Sequence, residues 1–115
     1  MYDLKICNKK YEVEAFKTSY QKGEGLAVVL ENEGEEFAVI TTNLPGNKTA
    51  KDCAFIDNNN CKWAEDFLVK HNIAHPTNRC VLSGFWIYPE YRFDLTKLKD
   101  YETQETSKKK NDIEM

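Results

Sequence analysis

Two short runs rich in apolar and β-branched residues, "LAVVLEN" and "EFAVITTN", are separated by the turn "EGE" between Leu26 and Asn43. Each run is too short and too β-branched for a stable helix, and the central glycine supplies the positive φ that a tight reversal needs. The stretch is therefore expected to form a β-hairpin. Upstream, "YDLKI" (Tyr2–Ile6) and "YEVEAF" (Tyr11–Phe16) alternate apolar with polar side chains, and "CNKK" between them carries turn residues. After the break "QKGEG" the first hairpin feeds the second. Four successive strands with short turns make an antiparallel meander, one face of which must be covered.

The cover comes from the single segment whose period changes from two to about 3.6. Between Cys61 and His71, Trp63, Phe67 and His71 recur at i, i+4, as do Ala64 and Leu68, giving one apolar stripe on an expected helix. Asn60, the last residue of "DNNN", is the expected N-cap, with Glu65 and Asp66 near the positive end of the helix dipole. Asn72 is the expected left-handed C-cap, and Pro76 prevents continuation. "LPGNKTAKD" reads as a loop, "AFID" as a short strand and "HPTNR" as a turn. "CVLSGFWIYPEYRFDL" reads as one or two further strands, in which Pro89 is tolerated at an edge or a bend but not in mid-sheet.

The fold class is thus α+β, a mostly antiparallel sheet with one main helix packed on it. A length of 115 residues suffices for one core. Residues 1–98 are assigned to a single globular domain. The charged remainder, 99–115, is read as a disordered tail.

Composition narrows the function. The net charge of −3 lacks the Lys and Arg excess of a phosphate-tracking protein, so direct nucleic-acid binding is disfavoured. No apolar run of about 18 residues and no signal-peptide pattern occurs, so the expected location is the cytosol rather than a membrane. There Cys7, Cys53, Cys61 and Cys80 are expected as thiols before disulfides, and none forms a C-x-x-C pair. Cys61 and His71 would lie about 15 Å apart along a helix, beyond the reach of one metal ion. The zinc set left open is His71, His75 and Cys80 with Cys53 or Cys7; idle thiols and no cofactor are the preferred reading.

A nucleophilic Cys61, its pKa lowered at a helix start, would need a base that His71 at the far helix end cannot supply; His75 stays open, and a capping-region thiol of no consequence is the preferred reading. Asp57, Glu65, Asp66, Glu90 and Asp94 invite a metal-dependent hydrolase, yet most occupy turn or helix-start positions where acids are common. Phosphate-loop, dinucleotide, nucleophile-elbow and zincin motifs are all missing, so the chain is expected not to be an enzyme. The aromatic run "FWIYPEYRF" places Phe85 and Ile87 on one face of a strand and Trp86 and Tyr88 on the other. An exposed Trp86 and Tyr88 beside Arg92 would make a protein-contact surface; the competing reading covers both faces.

The strings "LAVVL…EFAVITTNLP", "AFIDNNN", "WAEDFLVKHNIAHPTNR" and "YPEYRFDLTKL" resemble a family of small uncharacterised proteins, a domain of unknown function carried by phages and conjugative elements of Firmicutes and other gut bacteria. The resemblance spans about residues 4–98. Cys53, Cys61 and Cys80 are not part of its pattern, and it carries over no active site. It implies a stoichiometric inhibitor of a host defence protein, an anti-CRISPR protein that blocks nucleic-acid loading of a Cas effector nuclease, acting in the bacterial cytoplasm as a monomer or weak homodimer. The acidic surface of Glu31, Glu33, Glu35 and Glu36 would then meet the basic channel of the nuclease. An accessory of element transfer or replication and a small metal-dependent enzyme are the competing classes.

Overall fold

A computed structural model describes residues 1–19 and 25–101; most of the "QKGEG" break and the tail from residue 102 lie outside the described residues. Among the described residues nine strands and one α-helix make an α+β fold of two sheets. The first sheet is the expected meander: β1 (Tyr2–Ile6), β2 (Lys9–Ser19), β3 (Leu26–Asn32) and β4 (Glu35–Val39), all antiparallel. Its two described hairpins turn through adjacent left-handed residues, Cys7 (φ 49°) with Asn8 (φ 68°), and Glu33 (φ 54°) with Gly34 (φ 82°). This pairing of positive φ angles matches the right-handed twist of the flanking strands.

The run "EFAVITTN" does not continue as one strand. It breaks at the fully buried Ile40, and β5 (Thr41–Thr42) begins a second sheet. That sheet adds β6 (Cys53–Ile56), β7 (Ala74–Ser83) and β8 (Trp86–Phe93), in the order β5-β6-β8-β7. "HPTNR" is not a turn, as its composition suggested, but a bulge inside β7, where the register slips between Pro76 and Cys80 and Asn78 takes φ 74°. Pro89 sits in an inner strand, contrary to the expectation. It stands opposite Cys80 at the end of the bulge, and β6 pairs with β8 only as far as Phe55 with Glu90, so little ladder remains there for a proline to interrupt.

The helix is shorter than its periodicity implied. α1 runs Ala64–Lys70 with Trp63 as N-cap and no side-chain cap. Asn60 instead folds back on Asp57, donating its side-chain amide to the carboxylate at 2.9 Å, and Cys61 N–H donates to the Asp57 carbonyl at 2.8 Å. Asn60 thus spends its polar groups on a local turn before the helix begins. Asn72 ends the helix as anticipated, at φ 55°. Its N–H donates to the Val69 carbonyl and that of Ile73 to the Leu68 carbonyl, the two bonds of a Schellman motif, with Ile73 and Leu68 both fully buried.

One core joins both sheets and the helix: Leu4, Val13, Val28 and Leu30 from the first sheet, Ile56, Tyr91 and Phe93 from the second, and Phe67 and Leu68 from α1. The fold also extends past residue 98. β9 (Lys99–Asp100) pairs in parallel with Phe16 and Lys17 of β2, beyond the part of β2 that β1 covers, and Tyr101 packs edge-on against Phe16. Lys99–Tyr101, assigned to the tail from sequence, are thus part of the fold, and the rest of that expected tail lies outside the described residues.

Leu68 is fully buried between the helix and both sheets. Leu68→Ala is expected to lower unfolding free energy by about 2–5 kcal/mol, read from urea melts at unchanged m-value.

Candidate functional site

The second sheet projects a hairpin whose outer end is apolar on both sides. β7 and β8 meet through Gly84 and Phe85, and Ser83 pairs with Trp86. Gly84 at φ 63° is followed by a residue of negative φ, the pattern of a turn that needs glycine first. Phe85 consequently lies in the turn rather than on a strand face and is 104% exposed. Leu82 and Ile87 pair directly across the strands and share one face, at 68% and 57% exposure. Trp86 and Tyr88 occupy the opposite face, as the alternation implied, with Trp86 38% exposed and Tyr88 half-buried.

A hydrogen-bond chain fixes this hairpin to the body. Trp86 Nε1 donates to Asn58 Oδ1 at 2.7 Å, and Asn58 Nδ2 donates to Glu65 Oε2 at 2.9 Å. The other oxygen of Glu65 accepts from the Tyr91 hydroxyl at 2.8 Å. A helix carboxylate thereby ties the asparagine turn to two positions of β8. Nearer the bulge, the buried Glu90 accepts from the Thr77 hydroxyl at 2.7 Å and pairs with Arg79 at 3.0 Å. The Arg79 guanidinium also donates to the Lys48 carbonyl at 2.9 Å and lies 5.3 Å from the centre of the Phe55 ring. The base of the hairpin is rigid while its tip is bare.

The residues expected from sequence do not form one surface. Arg92 lies six positions from Trp86 along β8, roughly 20 Å away at strand rise, and faces Asp52 at 3.4 Å. Glu33, Glu35 and Glu36 are exposed around the β3–β4 turn, but Glu31 is 5% exposed and so cannot belong to an outer acidic patch. Leu82 was missed. Its signal was "SGF", since a glycine-first reversal places apolar neighbours on both faces of a tip.

The chemical alternatives are likewise placed. His71 donates from Nε2 to the Asp3 carbonyl at 2.7 Å and packs against Tyr2 and Phe67. His75 and Cys80 are exposed on β7 on either side of the bulge, Cys7 is exposed in a turn and Cys53 is buried in β6. Among the described residues no three His, Cys, Asp or Glu are grouped to hold a metal ion. Cys61 precedes the helix and is buried, its thiol directed at the Val39 carbonyl. Burial, and secondarily the Asp57 charge, push that thiol up, the reverse of the activation expected at a helix start. Burial also raises Cys53. Among the described residues no helix is long and apolar enough to cross a membrane.

Iodoacetamide at neutral pH is expected to modify the exposed Cys7 and Cys80 in the native protein, and Cys53 and Cys61 only on unfolding, as read by peptide mass spectrometry. A pH effect follows from Tyr91, whose hydroxyl burial and the Glu65 carboxylate hold above the ordinary phenol value of 10.0. The folded state keeps this proton more tightly than the unfolded chain, so its contribution is complete below about pH 10 and is lost as pH rises further. Tyr91→Phe should make the alkaline fall in melting temperature shallower.

No curated protein and no solved structure matches the chain. Residues 15–113, from the middle of β2 to near the end of the sequence, match a family model, so the chain belongs to the family described as a domain of unknown function, DUF4313.

Proposed function

We propose that this protein acts by stoichiometric binding to another protein, with the tip of the β7–β8 hairpin as its contact surface. The observation that carries the reading is the bare cluster of Leu82, Phe85 and Ile87, with the partly exposed Trp86, on a hairpin whose base is held by side-chain hydrogen bonds to the asparagine turn and the helix. Large apolar side chains on a rigid element lose little entropy on docking, and aromatic residues of this kind dominate interface energies. A fold of this size gains nothing internally from Phe85 in full contact with water.

The partner we propose is a host defence protein, with a Cas effector nuclease first among candidates and obstruction of its nucleic-acid loading as the effect. Support comes from the resemblance to proteins of phages and conjugative elements, and from the exposed carboxylates of Glu33, Glu35 and Glu36, which complement a basic nucleic-acid channel. The bacterial cytoplasm is the corresponding location. No bound cofactor is required for this activity.

Titration into DNA-cleavage reactions of a panel of Cas nucleases tests both halves. The expected result is loss of cleavage that saturates at a fixed molar ratio. Phe85→Ala and Ile87→Glu should each weaken inhibition by about tenfold or more at unchanged melting temperature. Full inhibition by both variants would remove the hairpin tip from the interface, and inactivation with multiple turnover would mark an enzyme. A partner captured from transfer or replication machinery, with no effect on any nuclease, would assign the accessory role instead.

A further inference from the structure

The first sheet holds a feature that the hairpin does not use. Glu14 of β2, Glu31 of β3 and Glu36 of β4 stand directly opposite one another in register, three like charges in one row across the sheet. Like charges directly opposed across strands are unfavourable, so each needs compensation. Glu36 has water, being exposed. Glu14 has two cations, Lys99 Nζ at 2.8 Å and the Met1 amino group at 3.7 Å, and the hydrogen bond from Lys99 holds its carboxyl below the ordinary range.

Glu31 has neither. It is 5% exposed, and its carboxylate has no hydrogen-bond or ion-pair partner among the described residues. It lines a cavity of about 660 Å³ together with Glu14, Asn32 and Tyr11. Since no buried side-chain oxygen among the described residues is both sealed from solvent and unbonded, the Glu31 carboxylate reaches open space through this cavity. Of the cations that line the cavity, Lys99 and the amino terminus are engaged on Glu14 and Lys9 lies over the Tyr11 ring at 5.4 Å, while Lys10 lines the same cavity without an ion pair to Glu31. A buried carboxylate left without a partner is a local cost that folds keep where a ligand supplies the missing charge.

We infer that this cavity receives the guanidinium group of a ligand, paired with Glu31. Both carboxylate oxygens are open, which suits the planar fork of a guanidinium, and that group sheds water more readily than an ammonium on entering a partly sheltered site. Asn32 spends its side-chain N–H on the Glu12 carbonyl at 2.8 Å, leaving its amide oxygen to accept a further N–H. A divalent metal is the poorer fit, because no third ligand is grouped with the glutamates among the described residues. The site lies on a different sheet from the hairpin tip and does not depend on the function proposed for that tip.

The test is NMR titration of the full chain with N-acetyl-argininamide, with N-acetyl-lysinamide and magnesium chloride as parallel arms. The expected result is a saturable shift of the Glu31 side-chain carboxyl with a Kd on the order of millimolar, as for a single small polar anchor. Glu31→Gln should weaken binding by about tenfold or more, and Glu35→Gln, at an exposed position outside the cavity lining, by less than about twofold. Equal binding of the lysine probe, competition by magnesium, absence of saturation or an unaffected Glu31→Gln variant would each overturn the assignment. Melting supplies the independent check. Glu31→Gln should unfold at the same temperature or higher, because it removes an uncompensated buried charge; a lower temperature would mark the carboxylate as structural and overturn the proposal. A blocked Gly-Arg-Gly peptide that binds more tightly than the free probe assigns the guanidinium to a protein partner's arginine, and equal affinity assigns it to a small guanidine compound; either supports the site.

Discussion

The fold depends on the passage of the chain through Ile40. At this fully buried residue the strand that began in the first sheet leaves it, and the next residues open the second. The residue is bonded on both sides: Ile40 N–H donates to the Val28 carbonyl at 3.1 Å, and its own carbonyl accepts from Asp57 N–H at 2.8 Å. The Val28 N–H in turn donates to the Thr41 hydroxyl at 3.1 Å. A crossing segment buried between layers has no water to satisfy its backbone, so these bonds are what makes the step from sheet to sheet affordable. They also fix where β6 and the asparagine turn stand against β3.

From that position the polar groups of the turn and helix act at a distance. Asn58, next to the Asp57 that bonds Ile40, bridges Trp86 to Glu65, and Glu65 holds Tyr91. Each of these side chains is half-buried or buried apart from Trp86, so a missing partner would leave a desolvated polar group. The arrangement sets the hairpin base with little freedom, while Leu82, Phe85 and Ile87 at its end touch no core. Rigidity at the base and bareness at the tip are the combination expected of a preformed contact surface.

The two outstanding features of the molecule differ in kind. The hairpin tip is apolar and convex, suited to entering a groove on a partner. The Glu31 cavity is concave and polar, suited to receiving a side chain or small cation. Neither resembles a catalytic constellation: the cysteines nearest to helix and sheet are buried with raised pKa values, and His71 is committed to a backbone carbonyl.

Local sequence determined the strands and turns of the meander, because alternation, β-branching and the Cys7–Asn8 and Glu33–Gly34 reversals act within a few residues. It determined the end of the helix at Asn72 for the same reason. It misplaced the helix start, since Asn60 had two available partners and the nearby Asp57 won over the helix. Tertiary structure alone decided that "EFAVITTN" divides at Ile40, that "HPTNR" bulges within a strand and that Lys99 and Asp100 dock on β2, each of which rests on a partner distant in sequence. It also decided the candidate sites. Glu31 and Glu33 look alike as letters in "ENEGEE", but the pairing of β3 between β2 and β4 buries one and leaves the other in water, and burial is a property of neighbours that a chain acquires only on folding.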